Sequence, residues 1–193
     1  WGPGGDCPDL PLPQLVGECQ LMNASAAIAA LQEIRGYVPV TVSDIRTGLE
    51  QARLAGRFEV FPGAPTVILD IAHNPQAAAT LAANLARMPC RGNTYAVFAM
   101  LGDKDIAGVV RTIKDQIDVW VVAGIAEQRG TSSQQMLDMV MAEVPDAAIS
   151  REATPALAFA RARCLATRDD RIVVFGSFYT VTAVMKSAGL SSL

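Results

Sequence analysis

From Thr66 to the C-terminus the chain keeps one rhythm: a short β-branched apolar run, a polar turn, then a helical stretch with its own cap. This alternation constrains the fold more than any other feature. Runs so apolar must be covered on both faces, and strand–helix alternation at this spacing predicts an α/β, Rossmann-like, mostly parallel doubly wound sheet. The strands are read at 66–71, 94–100, 118–122, 147–150 and 171–176. Helices fall near 76–88, 104–115, 132–143, 155–166 and 177–187, the first with Ala77, Leu81 and Leu85 on one face. Caps are expected at Asn74 with Pro75 behind it, at Asp103, at Thr131 with Gln134 three residues on, at Thr154 before Pro155, and at Ser177 after Gly176. Phe58 to Phe61 reads as a short antiparallel edge strand, turned by Pro62-Gly63-Ala64-Pro65 into the Thr66 run.

The chain ahead of this has a different character. Residues 1–18 are rich in Gly and Pro and read as loop with one short extended segment. A helix is expected from Cys19 to Arg35, with Ala24, Ile28 and Leu31 on one face beside Ala27 and Ile34, ended by Gly36. A second is expected from Val42 to Leu54, capped by Thr41 or Ser43, with Ile45, Leu49 and Ala52 facing inward. Two short helices bury little by themselves and need a partner surface. The division expected is therefore a helical piece at 1–55 and the sheet domain at 56–193.

Composition narrows the function classes. The 193 residues are 51% hydrophobic and 18% charged, which favours a packed core over disorder. A net charge of −3 and a pI near 5.1 disfavour a nucleic-acid partner. No apolar run approaches the roughly 20 residues of a membrane span, so no membrane partner is expected. Cys7, Cys19, Cys90 and Cys164 show no CxxC spacing and read as reduced, mostly buried thiols of a cytoplasmic protein. Trp1-Gly-Pro-Gly-Gly resembles no targeting peptide and lacks an initiator Met, so the chain is expected to begin inside a longer protein.

Polar residues gather at the predicted carboxyl ends of the strands, where open α/β sheets bind ligands. Asp70 offers acceptors suited to ribose hydroxyls, or serves as a turn carboxylate. His73, the chain's only histidine, contacts a ligand or is a satisfied structural residue; no second ligand at metal spacing accompanies it, so no metal site is expected. Arg57 can pair with phosphate through its planar fork, or is simply solvated. Asn23 can present its amide to a base or a sugar, or is an ordinary exposed position. Ser177 and Tyr179 open the last helix, whose free N–H groups favour a carboxylate, with Ser177 as plain N-cap the alternative. Lys104, the cation of the Asp103–Asp105 turn, reads as structural rather than catalytic. There is no GxxxxGK[ST], GxGxxG or GxSxG.

Leu69-Asp-Ile-Ala-His-Asn-Pro75 resembles the LDGAHNP signature of the folylpolyglutamate and dihydrofolate synthases, members of the Mur ligase superfamily. Leu10-Pro-Leu-Pro with Gly17-Glu-Cys-Gln20 and Asn23-Ala24 resembles that family's LPG.HQ..NA segment, and Gly56-Arg-Phe-Glu59 its PGR.E. Met100-Leu-Gly-Asp-Lys-Asp105 is similar to its M..DKD and Gly176-Ser-Phe-Tyr179 to its GS.Y/H, most like the bacterial bifunctional type. The resemblance implies the C-terminal portion of an ATP-dependent amide ligase that adds L-glutamate to dihydropteroate and to folates through an acyl phosphate. It implies ATP and Mg²⁺ as cofactors, the metal ligands lying in an N-terminal domain outside these residues. It further implies that Asn23, Arg57 and Asp70 bind ATP, that His73, Ser177 and Tyr179 line the glutamate side, and that His73 is catalytic. Residues 1–55 would be the tail of the central ATP-binding domain. The partners would be the small-molecule substrates and that missing domain, in a full-length monomer, with the fragment alone inactive. Ile71 stands where the motif usually has glycine, and Glu18-Cys19 replaces the usual pair before Gln20.

Three other readings compete. A cell-wall Mur ligase would carry a DRD-type turn where this chain has Asp103-Lys-Asp105. A non-catalytic nucleotide-binding or receiver-like α/β module with Asp70 as phosphoacceptor lacks the acidic pair after the first strand. A nicotinamide oxidoreductase lacks the glycine fingerprint.

Overall fold

A computed structural model describes residues 9–15 and 17–190. The chain divides into two compact units that part between Leu54 and Ala55. The Gly- and Pro-rich start and Cys7 lie outside the described residues. No helix among the described residues is long and apolar enough to cross a membrane.

The first unit holds α1 (Glu18–Glu33) and α2 (Val42–Gln51). Thr41 caps α2 by accepting from the Asp44 N–H, while Asp44 reaches back to the Thr41 N–H at 2.9 Å, a reciprocal capping box. The inward stripe expected of α2 is not realised. None of its residues is buried: Ile45 and Leu49 are half-buried, and Ala52 lies exposed just past the helix end. In α1, Ala24, Ile28 and Leu31 are half-buried, and Ala27 is exposed, as is Ile34 at its end. Two short helices carry too little apolar surface to enclose any of it.

The second unit runs β1 (Glu59–Phe61), β2 (Thr66–Leu69), α3 (Pro75–Arg87), β3 (Thr94–Phe98), α4 (Ile106–Ile113), β4 (Val119–Ala123), α5 (Ser133–Glu143), β5 (Ala148–Glu152), α6 (Pro155–Leu165), β6 (Arg171–Phe175) and α7 (Phe178–Ala188). The six strands form one sheet in the order β1-β2-β6-β3-β4-β5, parallel throughout except for β1. Strand alternation sends side chains to two faces. Ile68, Phe98, Trp120 and Phe175 join α3, α4 and α5, whereas Leu69, Val97, Val121 and Val174 join α6 and α7. β3 and β6 are buried at every position, and each such Val, Ile or Phe stabilises the fold by roughly 1.5–3 kcal/mol.

The caps at Asn74, Thr154 and Ser177 form as expected. Two others move. α4 starts at Ile106 and is capped by Asp105, which accepts from the Gly108 N–H at 2.8 Å, while Asp103 lies in the turn before it and pairs with Arg129 at 2.9 Å. α5 is capped by Ser132 in a box with Gln135, because Thr131 is buried and its carbonyl accepts from the Ile125 N–H. The thiols also differ from expectation. Cys19 and Cys90 are only half-buried and Cys164 is exposed, so none of these free cysteines is a core residue.

The last strand in sequence lies between β2 and β3. The helices after those two neighbours sit on one face of the sheet, and α7 sits on the other. At the carboxyl end of β6 the connections therefore diverge, the topological condition for a ligand crevice in an open α/β sheet.

Candidate functional site

Three turns meet at that point: Asp70 to His73 after β2, Leu101 to Lys104 after β3, and Gly176-Ser177 after β6. They enclose a crevice of about 180 Å³ lined by Ile71, His73, Leu101, Lys104 and the run from Gly176 to Tyr179. This is below the roughly 300–1,000 Å³ of pockets for drug-sized ligands and suits a small metabolite. Its floor is rigid. Phe175, the residue before Gly176, packs against Phe98 with ring centres 4.7 Å apart, and Phe98 meets Trp120 edge-on at 5.6 Å.

Gly176 makes the sharp exit from β6. Its φ is +112°, and a Cβ there would run into the Ala99 carbonyl oxygen. Ser177 is buried and its side chain is occupied as a cap. Its Oγ accepts from the Thr180 N–H at 3.0 Å. Thr180 Oγ1 donates to the Ala99 carbonyl at 2.7 Å, so the Ser177 hydroxyl must donate in turn to Thr180 Oγ1, also at 2.7 Å. The N–H groups of Phe178 and Tyr179, in the first turn of α7, have no intrahelical acceptor. The side chains of both are exposed and line the crevice.

His73 is half-buried, with Nδ1 2.8 Å from the Ile71 carbonyl. A carbonyl can only accept, so Nδ1 carries a proton and the neutral ring keeps its lone pair on Nε2. Nε2 has no hydrogen-bond partner among the described residues. Lys104 supplies the crevice's ammonium, with the Asp103 carboxylate at 4.0 Å. None of the lining residues is a carboxylate, so the walls favour an anionic group.

The other sequence candidates lie elsewhere. Asp70 and Arg57 do not line the crevice. Both oxygens of Asp70 hold backbone: Oδ2 accepts from Phe58 N–H at 2.9 Å and Oδ1 from Ala72 N–H at 2.7 Å. Burial pushes the Asp70 pKa up, against those two bonds and the nearby charge of Arg57. Arg57 is exposed. Asn23 is an exposed residue of α1, in the first unit, and donates to Gln20 Oε1 at 3.1 Å. Among the described residues no three His, Cys, Asp or Glu side chains stand together as a metal site.

His73, Ser177 and Tyr179 thus share one crevice. Lys104, which reads as structural in the sequence, forms part of its wall, as does Phe178, which carries no sequence signal. Their placement depends on β6 standing next to β3, and local pattern does not encode that neighbour.

Residues 56–178 match the family described as Mur ligase, glutamate ligase domain. The chain is 36% identical over 182 residues to the dihydrofolate synthase/folylpolyglutamate synthase of Escherichia coli K12, covering 94% of this chain and 40% of that protein. It is similar to the structure of E. coli FolC in complex with DHPP and ADP, with a TM-score of 0.83 and 36% identity, over 94% of this chain and 41% of that one. It is also similar to a bifunctional folylpolyglutamate synthase/dihydrofolate synthase with Mn, AMPPNP and L-glutamate bound, with a TM-score of 0.81 and 36% identity, over 94% and 42%. The chain spans about two fifths of the length of these relatives.

Proposed function

Since the chain belongs to the Mur ligase family, we propose that it supplies the amino-acid side of a cytoplasmic, monomeric, ATP-dependent ligase that joins L-glutamate to dihydropteroate and to folates. The observation that carries this reading is the crevice at the end of β6, with its single ammonium and, among the described residues, free helix-start amides and an imidazole with Nε2 unengaged. In it Lys104 and the N–H groups of Phe178 and Tyr179 hold a glutamate carboxylate. A solved relative with L-glutamate and a nucleotide analogue bound supports that choice of ligand.

The reaction needs three groups aligned. The γ-phosphate of ATP passes to the substrate carboxylate, giving an acyl phosphate. The glutamate amine then attacks that carbonyl, and phosphate leaves. The attacking amine must first lose a proton, and His73 Nε2 accepts it while the Ile71 carbonyl fixes the ring through Nδ1. Alignment of this kind is worth effective molarities up to about 10⁵–10⁸ M. On the nucleotide side Asn23 serves the adenine end, Arg57 the phosphates and Asp70 the ribose. Each Asp70 oxygen keeps a second lone pair while holding its backbone N–H. Residues 1–55 act as the tail of a central ATP-binding domain and 56–193 as the C-terminal domain. Mg²⁺ belongs to the chemistry of the whole ligase, and the described residues offer no cluster to hold it.

The test is glutamate incorporation by the full-length ligase. K104A is expected to raise the KM for glutamate at least about tenfold and H73A to lower kcat at least about a hundredfold, each leaving the KM for ATP within about threefold. An unchanged glutamate KM in K104A overturns the carboxylate assignment, and an unchanged kcat in H73A overturns the base. The 193-residue chain alone is expected to incorporate no labelled glutamate.

A further inference from the structure

The loop Gly56-Arg57-Phe58 is held more firmly than the approach to an edge strand requires. Gly56 and Phe58 both have left-handed backbone, with φ of +69° and +46°. Gly56 adopts this freely, and a Cβ there would come within 2.8 Å of Ile71 Cγ2. Phe58 does not. A bulky residue in this region is strained and persists only where its surroundings over-determine it. Here they do. The Phe58 N–H donates to Asp70 Oδ2 at 2.9 Å and its ring is buried in the core. The Gly56 carbonyl accepts from Ile71 N–H at 2.8 Å. The Gly56 N–H donates to Glu59 Oε2 at 3.0 Å. Every one of these bonds fixes a residue beside Arg57 and none involves Arg57 itself. Its exposed guanidinium makes no hydrogen bond or ion pair among the described residues.

We propose that Glu59 is a positioning residue for Arg57. With Asp70 it locks the backbone on both sides of that arginine, so that its Cα is already in place and only the side chain remains to be ordered when the guanidinium meets the nucleotide phosphates. This rests on the reading above, in which Arg57 grips those phosphates. Orientation achieved during folding need not be achieved at binding, so the gain appears as affinity. Asp70 carries a ribose role as well, and substitution cannot separate its two duties. Glu59 has the one.

The experiment is steady-state kinetics of the full-length ligase with R57A, E59A, E59Q and the double variant R57A/E59A. E59A is expected to raise the KM for ATP about tenfold with kcat changed less than about threefold. E59Q keeps an amide oxygen that accepts from the Gly56 N–H, so its KM returns to within about threefold of the parent. Added to R57A, E59A is expected to do less than about twofold more, because the residue it positions is gone. A raised KM in R57A with an unchanged one in E59A overturns the role of Glu59 alone. Effects that multiply in the double variant, or a failure of E59Q to rescue, also overturn it. An unchanged ATP KM in R57A overturns the phosphate assignment and this proposal with it. Should E59A fail to fold, E59D serves, since its shorter side chain retreats from the Gly56 N–H and the same rise is expected.

Discussion

At the amino edge of the parallel sheet Arg171 is 7% exposed, and its guanidinium donates to Thr94 Oγ1 and to the carbonyls of Leu85 and Met88. Beside it Asp170 accepts from the N–H groups of Asn93 and Thr167 and from the Thr167 hydroxyl. Asp118 accepts from the Thr94 N–H at 2.7 Å. At the carboxyl edge, among the described residues, His73 keeps a free Nε2, Lys104 has its nearest carboxylate at 4.0 Å, and Phe178 and Tyr179 are exposed. Charge is tolerated in the interior only when bonded, so the amino edge spends its polar groups on tying loops to the sheet. The carboxyl edge ties down Asp70 and Ser177 in the same way but leaves His73 Nε2, Lys104 and the first amides of α7 available among the described residues. One edge serves stability, and the other is where we propose that the ligand binds.

Four expectations can break or sharpen that contrast. The largest is R171A, which strips the donors from the last carbonyls of α3 and from Thr94. It should cost about 3–5 kcal/mol in urea unfolding at unchanged m-value, and a loss under about 1 kcal/mol would show that this edge is not locked by its arginine. Next is G176A, at the carboxyl edge, where φ of +112° and the Ala99 carbonyl leave no room for a Cβ. A loss of about 2–4 kcal/mol would mark the backbone there as rigid even though its side chains are free. S177A removes the cap of α7 and should cost about 1–2 kcal/mol by the same measurement. H73A and K104A should stay within about 0.5 kcal/mol of the parent, and a larger loss in either would mean that the carboxyl edge is structural after all.

The pH dependence of stability should separate the two edges by sign. At Asp170 burial pushes the pKa up but is outweighed by the bonds from Thr167 and Asn93, so the group titrates below the usual carboxylate range. Its contribution is present at neutral pH and lost as the pH falls through that lowered value. Asp70 is the reverse. Burial holds its pKa up, so its contribution is present in acid and lost as the pH rises through the raised value. Unfolding free energies across the acid range should therefore show D170N losing ground to the parent with rising pH, and D70N gaining. Equal slopes in the two variants would erase the distinction.

Much of this was legible in the chain itself. N-caps at Asn74, Thr154 and Ser177 are local chemistry, a side-chain oxygen reaching an N–H three residues on, so they form wherever the sequence places them. Where two candidates stand together the choice is not local. Asp105 rather than Asp103 caps α4, with Asp103 in the turn before it paired to Arg129, which is distant in sequence, and Ser132 rather than the buried Thr131 caps α5. The same limit hid Lys104, an ordinary turn cation until β6 stands beside β3.

The amino-acid pattern by itself determined the kind and sequence of elements, the two-faced burial of the strands, the capped helix starts and the motifs that tie the chain to its family. Only the tertiary structure decided that the last strand lies in the middle of the sheet and that the turns after β2, β3 and β6 therefore share a wall. The reason is range. Periodicity and capping act between residues a turn apart, whereas strand order is set by pairings such as Ala96 with Val173, which no local pattern records.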